Sequence, residues 1–226
     1  MVKKSRNGPR REESLSREQI VSAAVALLDE AGENGLTFRA LSERLATGPG
    51  AIYWHVTDKS DLLTAACDAV VAATLATPPT GRNARRALCE LALGLFDALD
   101  VHPWVGSALM RAPGQLPMVR ILERIGQQVR ALSVPRNREW KAVSALLSYI
   151  LGVSGQNAAN TQFARVQGLD RDTFLDTVAA TWSQLDGAEF PFTKSVARDM
   201  AGHDDRADYL AGIELILDGL QAAPGR

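Results

Sequence analysis

Apolar residues along this chain of 226 residues recur at three- and four-residue spacing, and no stretch alternates as a half-buried strand would. The pattern therefore predicts helices throughout. Ser16 with Gln19 makes a capping box ahead of Ile20, Ala24, Leu27, Leu28 and Ala31, a first helix expected to end at Gly32. Phe38, Leu41 and Leu45 form the stripe of a second, with Thr37 as its N-cap. A third starts near Pro49, and Asp58 opens a fourth that runs through Leu62, Leu63, Ala66, Val70 and Ala73 toward Pro78-Pro79. Further helical stripes follow from Asn83 to before His102-Pro103, from Pro103 to Arg111, from Pro117 to Leu132, from Asn137 to about Ala159, and from Asp170 to Leu185. Phe190-Pro191-Phe192 reads as a loop, and Tyr209 to Leu220 closes the chain on an amphipathic helix ending at about Gly219. No internal repeat of solenoid length is present.

The segment from Leu36 to Leu63 has the punctuation of a helix-turn-helix. Ala46-Thr47-Gly48-Pro49 breaks the second helix, and Ile52 and Val56, four apart, are placed to pack back on it. Gly50, Ala51, Tyr53 and His55 then face outward, on a helix of the kind that enters a major groove. Thr37, Tyr53, His55 and Lys59 carry groups suited to phosphate oxygens, and Lys59 opens a helix whose free N–H groups also favour an anion. A solvated lysine is the plainer alternative there. Gly48, Pro49 and Gly50 offer no side-chain hydrogen bonds but permit close approach, which leaves Arg39 and Thr47 as the polar candidates for base reading.

The run Ala51-Ile52-Tyr53-Trp54-His55-Val56, followed by Lys59 and Leu62-Leu63, resembles the signature of TetR-type transcriptional regulators, over roughly Ser16 to Leu63. His102-Pro103-Trp104 and the closing helix from Tyr209 to Leu220 are looser echoes of the same family. At the turn, where that family usually has Gly and then an apolar residue, this chain has Ala46 and Thr47. The resemblance implies an all-α fold with a three-helix helix-turn-helix head and a helical body that binds a ligand and dimerises. It also implies a ligand cavity in the body, with His102 near where the tetracycline-binding member uses a histidine; neither metal nor drug is carried over.

Composition sharpens this picture in three places. Net charge is −1, so affinity for DNA has to come from local placement, and residues 1–11 supply Lys3, Lys4, Arg6, Arg10 and Arg11 with no acidic residue. That arm reads equally as a phosphate-following segment and as a solubilising tail. Cys67 and Cys89 lack metal-ligand spacing and read as small apolar residues in a reducing compartment, a redox pair being the alternative. No nucleophile motif, zinc motif or phosphate loop is present, and no apolar run approaches a membrane span, so the expectation is a cytoplasmic non-enzyme without cofactor or metal.

In the body, Phe96, His102, Trp104, Met110, Met118, Tyr149 and Asn157 are candidates to line a ligand pocket, although core packing explains most of them equally well. The helices at 137–159 and 205–221 have apolar faces broader than one body needs, and in the resembled family the corresponding pair forms a four-helix dimer interface. The organisation expected is a basic arm over 1–15, a DNA-binding head over 16–63 and an effector-binding, dimerising body over 64–226. The function expected is a ligand-responsive, sequence-specific repressor, acting as a homodimer on a double-stranded (pseudo)palindromic operator and answering to an unknown small-molecule effector. A DNA-binding or protein-interaction module without an effector is the competing class. Within the first reading, the helix opened by Asp58 is the element expected to carry ligand occupancy to the head.

Overall fold

The computed structural model describes residues 15–76, 83–200 and 203–222, and among them the chain forms eleven helices and no strand. The basic residues of the arm and the expected break from Thr77 to Gly81 lie outside the described residues. One unit ends at Leu63 and a second begins at Thr64. No helix among the described residues is long and apolar enough to cross a membrane.

The first unit contains α1 (Arg17–Gly35), α2 (Phe38–Arg44), α3 (Pro49–Tyr53) and the opening turn of α4 (Lys59–Ala76). Ser16 and Gln19 form the reciprocal capping box at the start of α1. The expected stop at Gly32 is a break rather than an end. Gly32 takes φ 62°, which an L side chain resists, and one more turn follows to Gly35. Ile20, Leu28, Leu36, Leu41, Ile52 and Leu62 are almost fully buried and make the core of this unit. Each contributes on the order of 1.5–3 kcal/mol of transfer free energy.

In the second unit, α5 (Ala84–Val101), α7 (Leu116–Ala131), α8 (Arg136–Val166) and α11 (Asp205–Ala222) pack against one another around Leu88, Leu95, Ile121, Ile125, Leu146, Ile150 and Ile213. Shorter helices α6 (Trp104–Arg111), α9 (Arg171–Ser183) and α10 (Pro191–Val196) complete it. Two boundaries differ from those expected. α8 continues past Ala159 because Ala158 and Ala164 extend its buried line. The expected loop at Phe190 is followed by a short helix, since Pro191 occupies the first helical position, where its fixed φ is an advantage. The last helix ends at Ala222, just after Gly219. Asp68 on α4 holds Arg120 of α7 at 2.6 Å and 3.2 Å, and Arg124 donates to the Leu75 carbonyl at 2.6 Å. Cys67 and Cys89 are both free thiols, and burial pushes the Cys67 thiol up to about 12, which leaves it un-ionised at neutral pH.

Tyr209 joins three of the body helices. Its hydroxyl donates to the Ala92 carbonyl at 3.0 Å, its ring lies 4.8 Å from Phe96, and Tyr149 stacks on it at 5.7 Å while donating to its carbonyl at 3.2 Å. Tyr149 reaches that position only because residue 212 is glycine. A Cβ there would overlap the Tyr149 ring and hydroxyl, whatever the backbone angle. Gly212→Ala should therefore destabilise the protein by about 1–3 kcal/mol in equilibrium urea unfolding. Adding Tyr149→Ala should make the glycine replacement nearly neutral, and equal costs in the two backgrounds would show that the ring is not the obstacle.

Candidate nucleic-acid interface and body cavity

The turn between α2 and α3 is a complete Schellman motif. Ala46 N–H donates to the Glu43 carbonyl at 3.3 Å and Thr47 N–H to the Ser42 carbonyl at 3.0 Å. The motif needs a left-handed residue, and Ala46 supplies it at φ 48°. The same closure ends α8 with Gly168 at φ 68°, where no Cβ resists. Alanine thus occupies a position built for glycine, at a cost of about 1 kcal/mol. Ala46→Gly should slow amide hydrogen exchange across residues 38–56 by roughly the fivefold that such an energy implies. Faster exchange would mean that unfolded-chain entropy outweighs the strain.

That turn brings Arg39, Thr47, Gly48 and Pro49 onto one concave surface with Ser42, Glu43 and Ala46. Arg39 is 89% exposed and, among the described residues, pairs only with Glu43, one turn on, at 2.9 Å. Thr37 caps α2 by accepting the Ala40 N–H at 3.1 Å, and Gly50 lies exposed on α3. Tyr53 is half exposed with its ring stacked on Phe38 at 4.4 Å, so α2 fixes the direction of this α3 side chain. Ile52 and Val56 are buried beneath. Lys59 differs from expectation. Its ammonium donates to the Glu33 carbonyl at 2.6 Å, in the last turn of α1, where the negative end of a helix favours a cation. The other two N–H bonds of that ammonium remain available to an anion.

Two residues outside the expected set belong to this surface. Trp54 is 89% exposed, an unusual position for an indole, and it directly follows the outward-facing Tyr53. Arg17 donates to the His55 carbonyl and to Asp61 at 3.3 Å, while Asp61 also accepts the Thr57 N–H at 2.9 Å. This clasp fixes the chain between α3 and α4, and residues so distant in sequence left no spacing signal. The Thr57 N–H, with Arg17 adding to it, holds the Asp61 carboxyl below its ordinary value. The clasp is then intact above the unfolded carboxylate value of about 3.9 and is lost as pH falls through the lower folded one. By NMR, the Thr57 amide should titrate with a midpoint below about 3.9, and Asp61→Asn should abolish that titration; a midpoint above it would mean the carboxylate gains nothing from its partners.

The residues expected to line a body pocket differ in exposure. Phe96, Trp104 and Met118 are buried, Met110 is 69% exposed, and Tyr149 is spent on Tyr209. His102 sits edge-on to Trp104 with ring centroids 6.3 Å apart. Asn157 lines a cavity between the end of α8, the start of α9 and the start of α11. Among the described residues no group of three His, Cys, Asp or Glu side chains could hold a metal ion.

A short helix set on a capped partner through a tight turn, with its buried face locked and its other face open, defines a helix-turn-helix protein. The sequence pattern described as "Bacterial regulatory proteins, tetR family" matches residues 20–66. The solved structure of a TetR transcriptional regulator from Streptomyces coelicolor is 52% identical, with 92% of this chain and 98% of that one covered and a TM-score of 0.83. An HTH-type transcriptional regulator of Saccharopolyspora erythraea is 32% identical over 61% of this chain, and the match spans 59% of that relative's length. The HTH-type transcriptional repressor DrrR1 of Streptomyces coeruleorubidus is 25% identical over 92% of this chain and 78% of its own. The chain belongs to the TetR family of transcriptional regulators.

Proposed function

We propose that the protein is a ligand-responsive, sequence-specific DNA-binding repressor that acts as a homodimer on a (pseudo)palindromic operator. The observation that carries the DNA-reading part is the concave surface of Arg39, Thr47, Gly48 and Pro49 at the α2–α3 turn. It offers one long cationic side chain, one hydroxyl and a backbone free of bulk, a combination suited to close approach with sparse base contacts. Thr37, Gly50, Tyr53, His55 and Lys59 surround it as backbone-positioning groups, and Trp54 joins them as an apolar face for a sugar or thymine methyl. Sparse reading makes half-site spacing and DNA shape important to specificity, which favours a dimer. Support for the dimer lies on α8 and α11. Ala145, Ser148, Gly152 and Ala159 are exposed along α8, as are Ala211, Leu215 and Gly219 along α11, and such narrow faces allow close helix approach. The sensing part rests on the body cavity and on α4, a single helix whose opening residues belong to the head and whose later turns are tied to α7 through Asp68 and Leu75. A repressor role is named for the relative DrrR1 and extends here as part of the proposal.

The experiment is selection of operators from a random DNA pool, followed by affinity measurements across salt. Arg39→Ala should relax preference at one base pair per half-site, worth about 1–3 kcal/mol, while Lys59→Ala should weaken all sequences alike and lower the salt slope by about one. Identical preferred sequences for wild type and Arg39→Ala would remove Arg39 from the reading surface, and failure to select any sequence would overturn the proposal.

A further inference from the structure

The cavity lined by the end of α8 and the start of α9 is about 210 Å³ in volume. Pockets for drug-sized ligands run from about 300 to 1,000 Å³, so this space suits one ring or two fused rings. Its floor is apolar: Ala164 and Leu175 are buried, and Leu169 and Phe174 are half-buried beside them. Phe174 is steadied by an edge contact from Phe163, centroids 6.1 Å apart.

The polar wall separates into groups that are occupied and groups that are not. Asn157 and Thr161 both donate to Asp100 at 3.3 Å. Asp205 accepts from Arg171 at 2.7 Å, and Asp170 accepts the Thr173 N–H at 2.8 Å as the cap of α9. The side chains of Asn160 and Arg165, which also line the cavity, have no hydrogen bond or ion pair with the other described residues. Asp205 is thus engaged by Arg171 and Asp170 by the opening turn of α9, whereas the Arg165 guanidinium has no anionic partner among the described residues. The wall presents that one unpaired fork next to an idle amide and above an aromatic floor.

We infer that this cavity binds a small planar organic acid, its carboxylate paired with the Arg165 guanidinium and hydrogen-bonded by Asn160, its ring laid on Phe174 between Leu169 and Leu175. The guanidinium fork matches a carboxylate in a bidentate arrangement, which a lysine reproduces only as a point charge. A cationic ligand would meet Asp170 and Asp205 only where both already accept hydrogen bonds, and a ligand without charge would leave the guanidinium without a partner. The inference rests on the reading of the second unit as ligand-sensing, and gives that reading a chemical class of effector.

The test uses the full chain and 1-naphthoate, with the isosteric neutral 1-naphthamide as its control, in isothermal titration calorimetry. Naphthoate should bind saturably at one per chain, and naphthamide at least about tenfold more weakly. Arg165→Gln should weaken naphthoate by a similar factor while leaving naphthamide unchanged, and Arg165→Lys should restore part of the loss. Arg165 is exposed, so these variants should keep the parent's helical circular dichroism and melting temperature. Absence of saturable naphthoate binding, or equal affinity in the parent and Arg165→Gln, would overturn the site. A second arm measures operator affinity with and without saturating naphthoate, where a loss of about 5- to 150-fold supports both readings. Arg165-dependent naphthoate binding with unaltered operator affinity would establish the acid site and overturn the sensor reading instead.

Discussion

The body of this protein depends on one buried tyrosine. Tyr209 lies on the last helix, yet its hydroxyl is spent on α5 and its ring sits against Phe96 of that helix and Tyr149 of α8. An unpaired buried hydroxyl would cost about 1–3 kcal/mol, so the Ala92 carbonyl is as necessary to this arrangement as the apolar surface around it. Burial also pushes the phenol well above its ordinary value, and the group stays a neutral donor across physiological pH. Around it, Arg206 meets Asp97 and Arg85 meets Asp218, so α11 is registered on α5 at both ends by charge and in the middle by the phenol. The outward side of α11 carries Ala211, Leu215 and Gly219 together with Glu214 and Asp218.

The head solves a different problem. Its helices are short, so their ends carry a large share of their hydrogen-bonding groups and have to be closed by specific devices. Ser16, Thr37 and Asp58 close N-termini through side chains, and the Schellman bonds at Ala46 close the C-terminus of α2. Arg44 grips Glu30 through two contacts of 2.6 Å and 2.7 Å, tying α2 to α1 on the side away from the α3 stripe. With these ends closed, the outward face of α3 needs no internal partner. Its exposed groups are held in place by what lies beneath them.

Helical spacing and capping chemistry made most of the architecture legible, because both act within four residues of one another along the chain. Ser16 with Gln19, Thr37, Asn83 and Asp170 each cap the helix that their positions announced. A boundary was missed where a weak local signal was overruled by packing, as in the polar turn of α8 after Ala159. Contacts between distant residues were not legible: Arg17 with Asp61, Lys59 with Glu33, and Tyr149 over Gly212 join positions whose spacing carries no message. The candidate ligand residues show a deeper limit. An aromatic stripe tells that a face is buried but not whether protein or ligand buries it, and Asn160 and Arg165, polar and unremarkable in sequence, came to a cavity wall.

The alanine at the α2–α3 turn has a consequence for recognition that follows from populations. A partner that grips this surface binds only chains whose turn is closed, and its apparent affinity scales with the fraction that is closed. When a domain is stable by several kcal/mol, removing about 1 kcal/mol multiplies a rare open form by about five and leaves the closed fraction close to one. Strain at Ala46 therefore lowers the margin of the head against unfolding without entering the affinity of anything that binds it. The two quantities separate only while that margin lasts. A second substitution elsewhere in the head that spends the remainder would make the same alanine visible in DNA binding, through the closed fraction alone.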